Sequence, residues 1–173
     1  ARMEAAARVR GATSEDAAAI ARVHIESHRE AYVATGRIPA DAVEDWSEAA
    51  RAEYWGRFAE RRTRDERILV IAEIDDEVVG FAVAGPAQDA DRVGGWELYA
   101  IYLLEAHQGS GLGQALIDAA LGERGASLWV LADNPRAHAF YARNGFIPDG
   151  AHKTDPKWGD VEEVRLVREA KSE

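Results

Sequence analysis

QGSGLG, residues Gln108 to Gly113, sets three glycines at alternate positions between two stretches of opposite character. Before it, WELYAIYLL from Trp96 to Leu104 is rich in aromatic and branched residues and reads as a strand. After it, Leu112 to Arg124 keeps the apolar spacing of a helix. A strand-to-helix turn leaves first-turn N–H groups without carbonyl partners and presents the positive end of the helix dipole, which suits an anion. Glycine permits positive φ and removes the Cβ that would hold a phosphate away from the backbone. The same glycines also suit a tight turn with no ligand, so the segment alone leaves both readings open. The Walker pattern is excluded, because Gln114 and Ala115 stand where Lys and Ser or Thr are required. The Rossmann spacing fails as well, since Gly109, Gly111 and Gly113 do not fit G-x-G-x-x-G.

A second segment sharpens the reading. In LWVLADNPRAHAFYARNGF, Leu128 to Phe146, a strand runs into Asn134, Pro135 takes the first helical position, and Gly145 stands where a helix ends. Taken singly, Asn134 reads as a helix N-cap and Tyr141 as a core residue.

The rest of the chain supplies an alternating order of elements. Ala7 to Arg10 is a short apolar-alternating piece. TSEDAAAIARVHIESHREAYVAT opens with Thr13 or Ser14 as N-cap and Glu15 and Asp16 in the first turn, and predicts one long helix ending near Gly36. A second helical pattern begins at Pro39, in one piece or two, and runs through Trp46, Tyr54, Trp55 and Phe58. RILVIAEIDDEVVGFAVAGPA, Arg67 to Ala87, predicts a β-hairpin turning at Asp75-Asp76, followed by a polar loop to Gly95. DVEEVRLVRE predicts a final strand. The expected order is β, α, α, β, β, β, α, β, α, β, an α/β chain with a mixed sheet and helices on both faces.

Length and charge bound the function classes. At 173 residues the chain suits one domain, 1–173, with residues 1–6 and 170–173 expected as flexible ends. Met3 is equally readable as a native start. Thirty-one acidic against 21 basic residues give a net charge of −10, which disfavours nucleic acid and anionic membrane as partners. The absence of cysteine removes disulfides, thiolate nucleophiles and zinc-thiolate sites, and fits a cytoplasmic location. No apolar run approaches the roughly 20 residues of a spanning helix. His24 and His28 lie one helical turn apart, but no HExxH-type acid completes a site, so no metal is expected. The arginine-rich RFAERRTRDER, Arg57 to Arg67, reads as a solvated helix end.

Together, QGSGLG opening a helix and N-x-x-A-x-x-F-Y-x-x-x-G-F, carried by Asn134, Ala137, Phe140, Tyr141, Gly145 and Phe146, resemble the GNAT superfamily of acetyl-CoA-dependent N-acetyltransferases. The resemblance covers Glu97 to Phe146. It implies a GNAT fold: a central mixed, mostly antiparallel sheet of six to seven strands flanked by about four helices, splayed at the cofactor strand. It implies acetyl-CoA as co-substrate, with the loop Gln108, Gly109, Ser110, Gly111, Leu112 and Gly113 on the pyrophosphate. Ile101, Tyr102 and Leu103 would pair their backbone with the pantetheine arm, Asn134 would contact that arm, and Tyr141 would both lie at the thioester sulfur and protonate the departing thiolate.

Direct attack of an amine on a thioester requires removal of an ammonium proton, polarisation of the carbonyl and a proton for sulfur, and no metal. Glu97 is the candidate base, acting directly or through water. By the same resemblance His28, Tyr32, Trp46, Trp96 and Tyr99 line the acceptor pocket, an aromatic and acidic surface suited to a cationic amine. The expected reaction is acetyl transfer to a primary amine of a small molecule. A peptide N-terminus or lysine, a longer-acyl or aminoacyl donor, and a silent CoA-binding sensor are the alternatives. A homodimer through exposed strand edges is expected of such folds.

Overall fold

A computed structural model describes residues 6–38, 46–156 and 160–171. The expected helix start at Pro39, the alternative start at Met3, and residues 1–5 and 172–173 of the expected flexible ends lie outside them. The strands are β1 (Ala7–Gly11), β2 (Ile68–Ile74), β3 (Glu77–Pro86), β4 (Trp96–Leu103), β5 (Ala126–Leu131), β6 (Ile147–Asp155) and β7 (Val161–Arg168). The helices are α1 (Ala17–His28), α2 (Glu48–Arg61), α3 (Leu112–Leu121) and α4 (Pro135–Arg143). The seven strands form one sheet in the order β1-β2-β3-β4-β5-β7-β6, antiparallel throughout except for the parallel pair β4–β5.

The hairpin β2–β3 is apolar on both sides because both sides are covered. Leu69, Ile71, Phe81 and Val83 pack with Ile20, Val23, Trp55 and Phe58 of α1 and α2. The alternate residues Val70, Ala72, Ala82 and Ala84 pack with Leu112, Leu116 and Ile117 of α3. Successive side chains leave a strand on opposite faces, so one hairpin supplies both cores. Asp75 and Asp76 make the expected turn, with φ of 50° and 66°, the left-handed pair that matches hairpin twist.

Two expected boundaries change and one strand is added. The long first helix stops at His28 and passes into a wider-wound turn, Arg29–Val33, where the amide of Ala34 donates to Arg29 O at 2.8 Å. Helix α3 ends at Leu121 rather than Arg124, because Gly122 adopts φ 59°. Strand β6 was absent from the expected order. Its sequence IPDGAHKTD lacks apolar alternation, and Pro148 and Gly150 fall where the pairing with β7 shifts, which an edge strand tolerates.

The site depends on β3 and β4. Val83 pairs with Ala100 and Ala84 with Leu98, so Tyr99 is an extra residue, a bulge on β4. Tyr99 lies across Gly85, where a Cβ would stand 2.7 Å from its hydroxyl, and that hydroxyl donates to Pro86 O. A Cβ at Gly80 would stand 2.8 Å from both Leu103 Cδ1 and Tyr102 O. Gly80→Ala is therefore expected to displace β4 backbone and destabilise by about 1–3 kcal/mol. Thermal melting should show it, with Gly11→Ala, where nothing lies within 4 Å, as the unaffected control.

Candidate active site

Beyond the pairing of Glu97 with Ser127, β4 and β5 diverge and share no further register. The gap opens into a cleft of about 1090 Å³ running from the glycine turn, past β4, β5 and α4, to α1 and α2. The amide of Leu104 donates to Val79 O of β3 at 3.0 Å. By the alternation of an antiparallel pair, Ile101 and Leu103 turn their backbone groups away from β3, toward the cleft. Gln108 marks that edge, its side-chain amide donating to Leu103 O at 3.1 Å.

The turn is built as its glycines demand. Gly109 and Gly111 have φ of 81° and 90°, and a Cβ at either would meet nothing within 4 Å. Gly111 caps α3 without a side-chain bond of its own; the Leu112 amide donates to Ser110 Oγ at 3.4 Å, and the next amide to find a partner is that of Ala115, donating to Gly111 O at 3.1 Å. The amides of Gly113 and Gln114 have no acceptor among the described residues, so the turn offers donors to the cleft. Gln108, Gly109, Gly111 and Gly113 line the cleft. Ser110 folds back, its hydroxyl donating to His107 O, and Leu112 is buried in the α3 core.

Helix α4 closes the opposite wall. Asn134 accepts the amide of Ala137 at 3.4 Å, the N-cap expected of it, and also lines the cleft. Tyr141 lines the cleft while its ring meets Phe140 and Phe146, with centroids 5.5 and 5.9 Å away. Burial pushes its phenol well above the usual tyrosine range, and the neighbouring Tyr32 adds to the shift. Burial likewise raises Tyr102 and Tyr32. These phenols hold their protons at neutral pH.

Of the expected pocket residues, His28, Tyr32, Trp46 and Tyr99 line the cleft. Trp96 does not: as the neighbour of Glu97 on a strand it points to the other face, packs on the α3 core and lies under Arg124, 4.5 Å from the ring centroid. Glu97 is 8% exposed and lines the cleft, and its Oε1 accepts the Gln88 amide at 3.0 Å. Burial raises its pKa above the ordinary glutamate value, the Gln88 hydrogen bond opposes that shift, and the Asp89 charge reinforces it.

Sequence reasoning missed the partners of these residues. His24 joins His28, Trp46, Trp55, Phe81 and Tyr102 in one aromatic cluster, with centroids 4.9 to 5.8 Å from its own. A carbonyl only accepts, so His28 Nδ1, 3.1 Å from His24 O, carries the proton, and Nε2 accepts from the Tyr102 hydroxyl at 3.4 Å. Trp55 Nε1 donates to His24 Nδ1 at 3.3 Å. The i, i+4 spacing of the histidines was the only sequence signal, and among the described residues no His, Asp or Glu group could hold a metal. Trp129, Lys153 and Arg165 also surround Glu97, from three separate strands.

Burial pulls His24 down to about 3, with the charges of His28 and Arg51 adding to it, and His28 down to about 4. The unfolded chain therefore binds protons below pH 6.5 that the folded chain refuses, so stability falls as pH drops from there toward 4. Glu97, shifted up, binds its proton early in the folded state and offsets part of this. Denaturant unfolding should lose on the order of 2–3 kcal/mol between pH 7 and 5. His24→Gln should remove about half of that dependence.

The sequence profile of the Acetyltransferase (GNAT) family matches residues 25–146. An uncharacterized N-acetyltransferase of Archaeoglobus fulgidus is 28% identical over 144 residues, 78% of this chain and 88% of that protein. The uncharacterized N-acetyltransferase YuaI of Bacillus subtilis is 34% identical over 134 residues, 73% of each chain. Among solved structures, the PaiA N-acetyltransferase of Thermoplasma acidophilum in complex with coenzyme A superposes with TM-score 0.71 at 20% identity, covering 96% of this chain and 99% of that one. YncA of Salmonella typhimurium, a putative acetyltransferase with its cofactor acetyl-CoA, gives TM-score 0.69 at 16% identity, covering 97% and 96%. No described helix is long and apolar enough to cross a membrane. The chain belongs to the GNAT acetyltransferase family and is an acyltransferase that uses acetyl-CoA.

Proposed function

We propose that this chain moves the acetyl group of acetyl-CoA to the primary amine of a small molecule by direct attack in a ternary complex. The observation that carries the reading is the coincidence, along one cleft, of the cleft-facing backbone of Ile101 and Leu103, the glycine turn at Gly109 to Gly113, and the protonated phenol of Tyr141.

In this reading the turn from Gln108 to Gly113, with Ser110 and Leu112 shaping it, holds the pyrophosphate on backbone amides. Ile101, Tyr102 and Leu103 hold the extended arm in the manner of an added strand, with Asn134 on its other side. A cleft-facing N–H of β4 polarises the acetyl carbonyl. Glu97 takes a proton from the ammonium, because burial gives it a higher proton affinity than an exposed carboxylate while its Oε1 stays anchored on Gln88. The new C–N bond forms as the C–S bond breaks, and Tyr141 delivers a proton to the leaving sulfur. A phenol shifted upward remains protonated until that thiolate appears. The ring cluster of His28, Tyr32 and Trp46 receives the body of the amine, burial keeps its histidine neutral, and Glu97 meets the cation.

Three tests follow from these assignments. Gly111→Glu should weaken acetyl-CoA binding at least about tenfold by like-charge repulsion, with Gly111→Ala separating backbone strain at positive φ from charge. A thermal-shift titration reads both, since a ligand at 100 times its Kd stabilises by about 2.7 kcal/mol. Tyr141→Phe should lower kcat by about 10²–10⁴ with acetyl-CoA affinity unchanged, measured as thiol release across a panel of primary amines. Because Glu97 must be ionised to act, the rate should fall as pH drops through a value above the ordinary glutamate range, and Glu97→Gln should abolish that limb. Acetyl-CoA binding with no thiol release for any amine would instead mark a CoA-binding sensor.

A further inference from the structure

We infer that Arg165, far from the acetyl-transfer position in sequence and outside both motifs, is the positioning residue that fixes the carboxylate of Glu97 by clamping the loop that covers it. The inference rests on the assignment of Glu97 as base. Arg165 projects from β7, is 7% exposed, and stands opposite Trp129 in the β5–β7 register. Its guanidinium is shared among three carboxylates from two separate segments. Nη1 and Nη2 reach Asp91 Oδ1 and Oδ2 at 2.9 and 2.8 Å, Nη1 also reaches Asp89 Oδ2 at 3.2 Å, and Nε reaches Asp149 Oδ2 at 2.7 Å. Trp129 Nε1 donates to the same Asp89 oxygen at 3.0 Å.

Asp89 and Asp91 belong to the loop between β3 and β4, and the residue just before Asp89 is Gln88, whose amide holds Glu97 Oε1. The path from Arg165 to the base is thus one hydrogen bond to Asp89, the peptide that joins Asp89 to Gln88, and the Gln88 hydrogen bond, while the fork on Asp91 holds the same loop two residues further on. Arginine is required for this geometry, because a planar fork satisfies a carboxylate with two parallel bonds and still spares Nε for a third partner. An ammonium offers one point of charge and cannot span Asp91 and Asp149 together. The clamp keeps the loop down, keeps water from Glu97, and so preserves the burial that raises its proton affinity. The charged groups around Glu97 are Asp89 on the loop, Lys153 on β6 and Arg165 itself on β7, with the Tyr99 phenol two residues along β4.

Arg165→Lys keeps the charge and removes the fork. Asp91→Ala removes the bidentate partner at a half-exposed site whose charge is not among those acting on Glu97, so it reports on the clamp with little direct electrostatic effect. Two readouts need no acceptor. Amide exchange at Gln88 should accelerate at least about tenfold in both variants. The Glu97 carboxyl titration, followed by carbon-13 NMR and assigned by its loss in Glu97→Gln, should fall by about half a pH unit or more toward the ordinary glutamate value. Unchanged exchange and an unchanged midpoint in both folded variants would overturn the inference. The two readings fail separately: wild-type thiol release by Glu97→Gln would remove the base assignment while a moved midpoint still demonstrates the clamp. Lost release in Glu97→Gln with an unmoved midpoint in Arg165→Lys would remove the clamp alone.

Discussion

Between Glu97 and Leu103, strand β4 keeps one neighbour and gives up the other. On the β3 side it is paired along its length, and on the β5 side it is paired once, at Glu97 and Ser127. Backbone N–H and C=O groups left without partners away from water carry a penalty of order 1–3 kcal/mol each, so an unpaired edge persists where solvent or a ligand satisfies it. Everything else in the molecule accommodates that edge. The β2–β3 hairpin, buried on both faces, anchors β4 from behind, while β5, β7 and β6 form a second leaf that leans away. The bulge at Tyr99 sits at the point of departure, where extra local twist turns β4 out of the plane it shares with β5.

The electrostatics of the cleft follow from the same geometry. A chain with net charge −10 places few charges deep in the gap; it places phenols and imidazoles there and lets burial keep them neutral. Tyr102 and His28 are hydrogen-bonded along the wall, with the direction of that bond fixed by the carbonyl of His24. Two carboxylates meet that wall: Glu97, at the end of the cleft with a cationic fork behind the loop that covers it, and Glu163 of β7, whose charge adds to the upward shift of Tyr32 and Tyr102.

The sequence was most legible where a residue's role is local. Gly111 at positive φ, Pro135 at a helix start, Asn134 as a cap and the aspartate turn at Asp75-Asp76 are each dictated by the backbone of a few neighbours, and all four are found as read. Strand β6 was illegible because its pairing, not its pattern, makes it a strand. Trp96 was misplaced for a related reason: an aromatic next to Glu97 looks like a pocket residue until strand alternation puts it on the opposite face. Arg165 was invisible because its partners, Asp89, Asp91 and Asp149, come from two distant segments, and nothing in DVEEVRLVRE distinguishes it from Arg168. Arg168, equally buried, spends its fork on the carbonyls of Gly122, Arg124 and Asn144 instead.

A sheet whose two leaves meet at one rung needs something besides backbone pairing to fix how far apart they stand. The cross-ties lie at both ends of the cleft. At the glycine-turn end, Gln114 of α3 donates to Asn144 Oδ1 beyond α4 at 2.7 Å, and Phe140 rests on Gly113 with its ring 3.7 Å from where a Cβ would be. At the Glu97 end, Arg165 and Trp129 of the second leaf hold Asp89, in the loop that leads from β3 into β4 of the first. Between them Arg37, from the turn after α1, reaches Asp133 O at 2.7 Å just before α4. These contacts are polar and mostly near the surface, individually worth about 0.5–1.5 kcal/mol. They act beside an apolar cluster that α3 shares with both leaves, Val70, Ala72 and Ala82 from the first and Leu128, Val130 and Leu166 from the second, so the spacing of the leaves rests on that common core as well as on the polar ties at its rim.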